Sequence, residues 1–220
     1  MTPRRQRSRG FSTAEVLVGS LLSLMALAAV YSVQRAQTKA FAAQTTYAES
    51  QNITRSLIDL MSRELRMATY DPTTAALPTS PGPSCPGVKQ GIVEASLSKL
   101  HFEQDLTGDG ALTAPGENVV YDVLGTDLRR TDGASLPVPI VSGVPAGGLQ
   151  FRYFDGSNPP VELTPTGSPP ALTPSQRDCV AKVRITVRAN LPNPDPNNPT
   201  PIASLAECEV AIRNRSLANF

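Results

Sequence analysis

Between Arg4 and Asp71 the chain has no proline, whereas 20 of its 21 prolines lie between Pro72 and Pro201. A proline inside a helix removes a backbone donor and clashes with the preceding turn, at a cost of about 3 kcal/mol. The first third can therefore form one long helix, and the rest is confined to short elements joined by loops. A helical bundle or α-solenoid is excluded by the second region. A doubly wound α/β enzyme is excluded by the lack of amphipathic helices alternating with strands after residue 72.

The start of the proline-free stretch has a sharp polarity. Arg4, Arg5, Arg7 and Arg9 carry all the side-chain charge of residues 1–10, and from Phe11 to Val33 the only charged residue is Glu15. As a helix, that apolar run is about 35 Å long, enough to cross a hydrocarbon core of about 30 Å. Four arginines precede it and Arg35 and Lys39 follow it, so the positive-inside bias places the N-terminus in the cytoplasm and the C-terminal region outside. A cleaved secretory signal fits less well. Its apolar region is shorter and ends in small residues, whereas here Ala26, Ala28 and Ala29 lie within the run. Glu15 is the anomaly, because a carboxylate near the centre of a spanning helix costs about 2.5–3.5 kcal/mol, less towards its end. The positive end of the helix dipole offsets part of that cost.

The segment Arg9-Gly10-Phe11-Ser12-Thr13-Ala14-Glu15, followed by Val16-Leu17-Val18-Gly19, resembles the processing and methylation site of type IV pilins and type II secretion pseudopilins. The resemblance implies cleavage between Gly10 and Phe11 by a prepilin peptidase and N-methylation of Phe11. It implies that Glu15 serves subunit assembly by neutralising the N-terminal ammonium of a neighbouring subunit. It also implies an inner-membrane precursor and a filament with the head outside the cytoplasm. The stretch from Leu60 to Tyr70 is similar to the helix end of W-type minor pilins and J-type pseudopilins.

Beyond the apolar run, Ile53, Leu57, Met61 and Leu65 recur every four residues, with Ile58 and Leu60 beside them. This is one face of an amphipathic helix, whose ordinary role is core packing. The expected organisation is a leader over 1–10 and a long helix over 11–70 with its membrane segment at 11–33. A Pro-, Gly- and Ser-rich loop region follows over 71–98, then a β-rich extracytoplasmic head over 99–220. Strands are expected at 99–104, 119–124, 149–154, 180–189 and 205–213. In the last two, Val183, Ile185 and Val187 alternate with Lys182, Arg184, Thr186 and Arg188, and Cys208, Val210 and Ile212 alternate with Glu207, Glu209 and Arg213. The fold class is thus α+β, with an antiparallel sheet laid on the amphipathic half of the helix.

The chemistry-bearing residues are few. One histidine and three cysteines cannot build a zinc signature. No Gly-rich phosphate loop, G-x-S-x-G elbow or paired-carboxylate site is present, so no enzymatic activity is expected. His101 stands beside Phe102 without a nucleophile and reads as structural. The 20 Lys and Arg against 19 Asp and Glu give a net +1, with no global field for nucleic acid. Without the leader's four arginines, 16 basic residues face 19 acidic ones and the net charge is −3. The basic row of Lys182, Arg184 and Arg188 could face an anionic polymer, but pairing with Glu207 and Glu209 across the strands is the simpler account.

Asp105, Thr107, Asp109 and Gly110 match the first half of an EF-hand calcium loop. Position twelve is Gly116, with Glu117 one place late, and a polar turn needs no metal. No cofactor and no metal ligand is therefore expected, with Ca2+ at this loop the alternative. Cys85, Cys179 and Cys208 lie where disulfides persist, and their odd number leaves one over. In a hairpin closed around 190–202, Cys208 falls opposite about residue 184, which puts Cys179 roughly 16 Å away. Cys85 paired with one of the other two is the expectation.

Together these features suggest a minor pilin-like subunit at the tip or initiation complex of a type IV pilus. The partners would be prepilin peptidase, other pilins or pseudopilins met through the helix, and the inner membrane before assembly. A secretion pseudopilin is the near alternative. A single-pass anchored binding domain that never enters a filament is the alternative of another class.

Overall fold

A computed structural model describes residues 10–82 and 85–216 of the chain. The proline-free stretch forms a single helix, α1 (Thr13–Met67), of 55 residues and about 82 Å. Ser12 is its N-cap, and Ala68 ends it by leaving helical geometry. The membrane-length part, Phe11 to Val33, is exposed throughout. Its serines do not strand polar groups: Ser20, Ser23 and Ser32 donate to the Leu17, Gly19 and Ala29 carbonyls of their own helix. Hydroxyls satisfied in this way are compatible with a hydrocarbon surrounding.

The far half of α1 is buried on one face by Ser50, Thr54, Leu57, Ile58, Met61, Ser62 and Leu65. The expected apolar face is present, with one shift. Leu60 remains 37% exposed, and the face rotates towards the small residues Ser50 and Thr54 because α1 lies directly on a strand. Ser50 Oγ meets Ser204 Oγ at 2.6 Å, a closeness that only short side chains allow.

The head contains two antiparallel sheets rather than one. The first is a meander of β1 (Ile92–Ala95), β2 (Leu100–Glu103), β3 (Asn118–Leu124), β4 (Asp127–Asp132) and β5 (Val138–Ser142), hydrogen-bonded in that order. The second is formed by β6 (Leu149–Phe154), β7 (Glu162–Leu163), β8 (Lys182–Leu191) and β9 (Ile202–Ala211), in the order β7-β6-β8-β9. Two short helices, α2 (Pro174–Asp178) and α3 (Arg213–Ser216), complete the described elements. The expected loop region over 71–98 thus contains a strand at its end, β1.

The sheets meet over one core. Val183, Ile185 and Val187 of β8 and Leu149, Phe151 and Tyr153 of β6 are buried, as are Phe102, Val119, Tyr121 and Leu128 of the meander. Each such side chain removed from water contributes about 1.5–3 kcal/mol. Gly143 makes the passage between sheets: its carbonyl accepts from Asn190 N, and a Cβ there would lie 2.3 Å from the Asn190 oxygen. The helix packs chiefly on β9 and β8. It reaches the meander through Glu64, which accepts from Tyr121 Oη at 2.5 Å and pairs with Arg130. Burial and the Glu64 carboxylate hold the Tyr121 hydroxyl well above its ordinary pKa, against the opposing pull of Arg130.

Register settles the cysteines. β8 pairs with β9 so that Ile185 faces Cys208, one residue from the expected partner. Cys208 is a free, half-buried thiol, and the disulfide joins Cys85 to Cys179 with Cα atoms 5.4 Å apart. Across the same strand pair Glu209 engages Lys182 and Arg184, and Glu207 engages Arg184. Arg188 stands opposite Leu205.

Candidate functional site

Two places bring together residues singled out in the sequence: the start of α1 and the loop between β2 and β3. The leader arginines lie outside the described residues. Gly10 and Phe11 lie just ahead of the helix, and Phe11 is 87% exposed. Glu15 has a local duty that the sequence reading missed. Its carboxylate accepts from Ser12 N at 2.9 Å, while Ser12 Oγ accepts from Glu15 N at 3.4 Å. This reciprocal pair is a capping box, signalled by serine followed three places later by glutamate. It satisfies donors that an apolar surrounding would otherwise leave orphaned.

From Gly10 to Thr38 every residue is exposed, leucines included. The helix is long and apolar enough to cross a membrane. At Lys39 the head begins: its ammonium pairs with Asp195 at 3.0 Å, from the proline-rich segment 192–201 that joins β8 to β9. Asn197 of the same segment borders an open cleft beside Tyr31, Ser32, Arg35 and Ala36, all of which stay exposed. The uncovered length of helix before Lys39 is therefore about 42 Å.

The β2–β3 loop converges on three carboxylates. Asp105 and Glu117 are completely buried and Asp109 is exposed, with ligand oxygens of all three within 4.8 Å of one another. Asp105 accepts from Gly108 N at 2.6 Å and Gly110 N at 3.1 Å, and Thr73 Oγ1 lies 3.4 Å from it. Gly110 holds φ +79°, the left-handed turn that the sequence pattern calls for. Glu117 accepts from the Leu106, Thr107 and Ala114 amides and from the Thr107 hydroxyl. Burial raises the Glu117 pKa, but these donors outweigh it and hold the carboxyl below its ordinary range. One residue late in the linear pattern, Glu117 nonetheless turns its side chain back into the loop.

His101 is placed differently: its Nε2 lies 2.9 Å from Asn118 Oδ1 on the neighbouring strand. It is tied into the sheet, apart from the acidic loop. The disulfide borders a shallow cleft lined by Asp155, Ser157, Leu163, Ser175 and Gln176. Asp155 is engaged there by Ser157 and by Val161 N. Comparison with protein-family models, curated protein sequences and solved structures finds no match for this chain.

Proposed function

We propose that this chain is a minor pilin-like structural subunit, processed between Gly10 and Phe11 and assembled at the tip or initiation complex of a type IV pilus. The observation that carries the reading is the junction of residues 9–19 with a helix that is bare for its membrane length, is first met by the head at Lys39 and is buried on one face from Ser50 onward. Such a helix needs a bilayer first and neighbouring helices afterwards, since an uncovered apolar surface of that size does not persist in water. After leader removal, the Phe11 ammonium and Glu15 have opposite charge near the same end of the helix. An ammonium brought from a neighbouring subunit would give the carboxylate the partner that burial among helices demands. The proline-rich head loops suit a terminal position better than a repeating shaft.

Intact mass of the protein from its native membrane tests this, with wild type and Glu15→Gln compared. Both are expected to lack residues 1–10 and to carry a methyl group on Phe11, while only wild type enters filaments. Gln retains an oxygen for the cap, so loss of assembly reports on charge. A retained leader, or normal filament entry by Glu15→Gln, would overturn the proposal. A secretion pseudopilus is the second reading, since the Leu60–Tyr70 resemblance extends to J-type pseudopilins as well as to W-type minor pilins, and it predicts a secretion defect in place of a pilus defect. A retained leader on a functional membrane protein would favour the anchored binding domain.

A further inference from the structure

We infer that the β2–β3 loop is a calcium site built from Asp105, Asp109 and Glu117, with the amide head of Gln104 bonded to the same loop and its oxygen left unpartnered. The inference stands apart from the filament reading, because it rests on the head alone.

The first observation is buried charge without a counter-charge. Asp105 and Glu117 are fully buried, and among the described residues no salt bridge involves Asp105, Asp109 or Glu117. The nearby cations are committed elsewhere: Lys89 to Asp71, and Arg130 to Glu64 and Asp132. Backbone amides satisfy lone pairs but supply no net positive charge, and buried carboxylates ordinarily have a cationic partner or a metal ion. The second observation is independent of the acids. Gln104 is 2% exposed, and its Nε2 donates to the Gly116 carbonyl at 2.6 Å, which brings its amide head to the loop beside Glu117. Its Oε1 is buried and has no hydrogen-bond partner. An orphaned amide oxygen of this kind calls for a water or an ion.

Geometry selects the ion. Oxygen ligands on opposite sides of Ca2+, at 2.3–2.6 Å, lie about 4.6–5.2 Å apart. The three carboxylates fall inside that span, with oxygens within 4.8 Å of each other. All of the donors are hard oxygens, which excludes a preference for soft metals. Three carboxylates from one chain suit Ca2+ better than Mg2+, which keeps several waters and demands a stricter octahedron. The loop also touches the end of α1, since Asp105 N donates to the Tyr70 carbonyl and Thr73 Oγ1 reaches Asp105. Bound calcium therefore fastens the helix end to the meander. Outside the cytoplasm, millimolar calcium is enough to fill a site of about 10⁻⁴ M affinity, ordinary for extracellular modules.

The test uses the full chain in detergent micelles, with thermal unfolding followed in EGTA and in rising CaCl2 or MgCl2. Calcium should raise the unfolding temperature saturably with a midpoint between about 10⁻⁵ and 10⁻³ M, and magnesium should need at least about tenfold more. Asp109→Asn is the informative variant, because Asp109 is exposed and asparagine can still accept from Ala111 N. It should unfold no lower than wild type in EGTA, because one of three crowded charges is gone, and need about 10–100-fold more calcium for the same shift. Glu162→Gln, remote from the loop, should respond as wild type. An unfolding temperature identical in EGTA and 10 mM CaCl2, equal responses to both cations, or a wild-type response from Asp109→Asn would each overturn the assignment.

Discussion

The two halves of α1 share a backbone geometry and differ in everything that covers it. Before Lys39 the helix presents Leu17, Leu21, Leu24 and Leu27 to its surroundings; beyond it, Leu57, Met61 and Leu65 are buried under β8 and β9. The same leucine thus has opposite meanings 40 residues apart. In the second half it is paired within the chain, and burial there stabilises the head. In the first half it has no partner within the described chain, on a helix long and apolar enough to cross a membrane. Helix length alone cannot separate these conditions. The small residues Ser50 and Thr54 mark the clad half, because they let a strand approach the helix axis.

The sharpest way to break this comparison is to truncate one leucine on each side. Leu65→Ala should destabilise the head by about 2–5 kcal/mol, the ordinary cost of a core cavity, measured by denaturant unfolding in micelles. Leu24→Ala should leave the same transition within about 0.5 kcal/mol. Comparable losses from both would mean that the bare half is coupled to the head. A smaller effect comes from pH. Asp71, Glu117 and Asp155 all have carboxyl pKa values lowered in the folded head. For Asp71, burial alone would raise the pKa, and the Leu77 amide and Lys89 outweigh it. A lowered folded-state pKa contributes stability that is present above the unfolded value and lost as pH falls through the folded value. The unfolding temperature should therefore drop as pH falls below about 4, while helicity of the membrane half in micelles should change less. A head equally stable at pH 7 and pH 3 would contradict this account. The smallest expected effect is at the boundary itself. Lys39 and Asp195 are partly exposed, so Lys39→Ala should cost no more than about 1 kcal/mol. Proteolysis at Arg35 should nevertheless accelerate, and an unchanged rate would separate the hairpin from the helix.

Much of this division is legible in the sequence because it rests on strong local rules. The absence of proline sets α1, and strict alternation sets β8 and β9, including their register to within one residue at Cys208. The cysteine argument removed Cys179–Cys208 by distance but could not choose between the remaining partners of Cys85. β4, Asp-Leu-Arg-Arg-Thr-Asp, is the instructive omission. Its polar residues look like a loop, yet Arg129 pairs with Asp122 and Arg130 with Glu64 of the helix. Those partners exist only once the fold has formed, so no local pattern announces the strand. β1 and β5 are likewise short, and Pro139 sits in β5 as an edge strand permits. By contrast, α2 was signalled and overlooked. Thr173, Pro174 and Gln176 form a capping box with proline at the first turn. In the acidic loop the carboxylates were visible, but the linear count placed Glu117 out of step with a calcium pattern. In the fold its side chain nonetheless turns inward, where the Leu106 and Thr107 amides donate to it.

The contact between Asp195 and Lys39 acts as a depth gauge. The helix runs on through it without interruption, so the backbone of α1 does not decide where the head starts. The reach of the 192–201 hairpin decides it, at about 42 Å from Phe11. Four prolines and one more at its end, Pro192, Pro194, Pro196, Pro199 and Pro201, make that reach stiff, since each fixes one backbone angle. A longer or softer hairpin would leave a shorter or less definite length of helix bare, without any change in the helix itself.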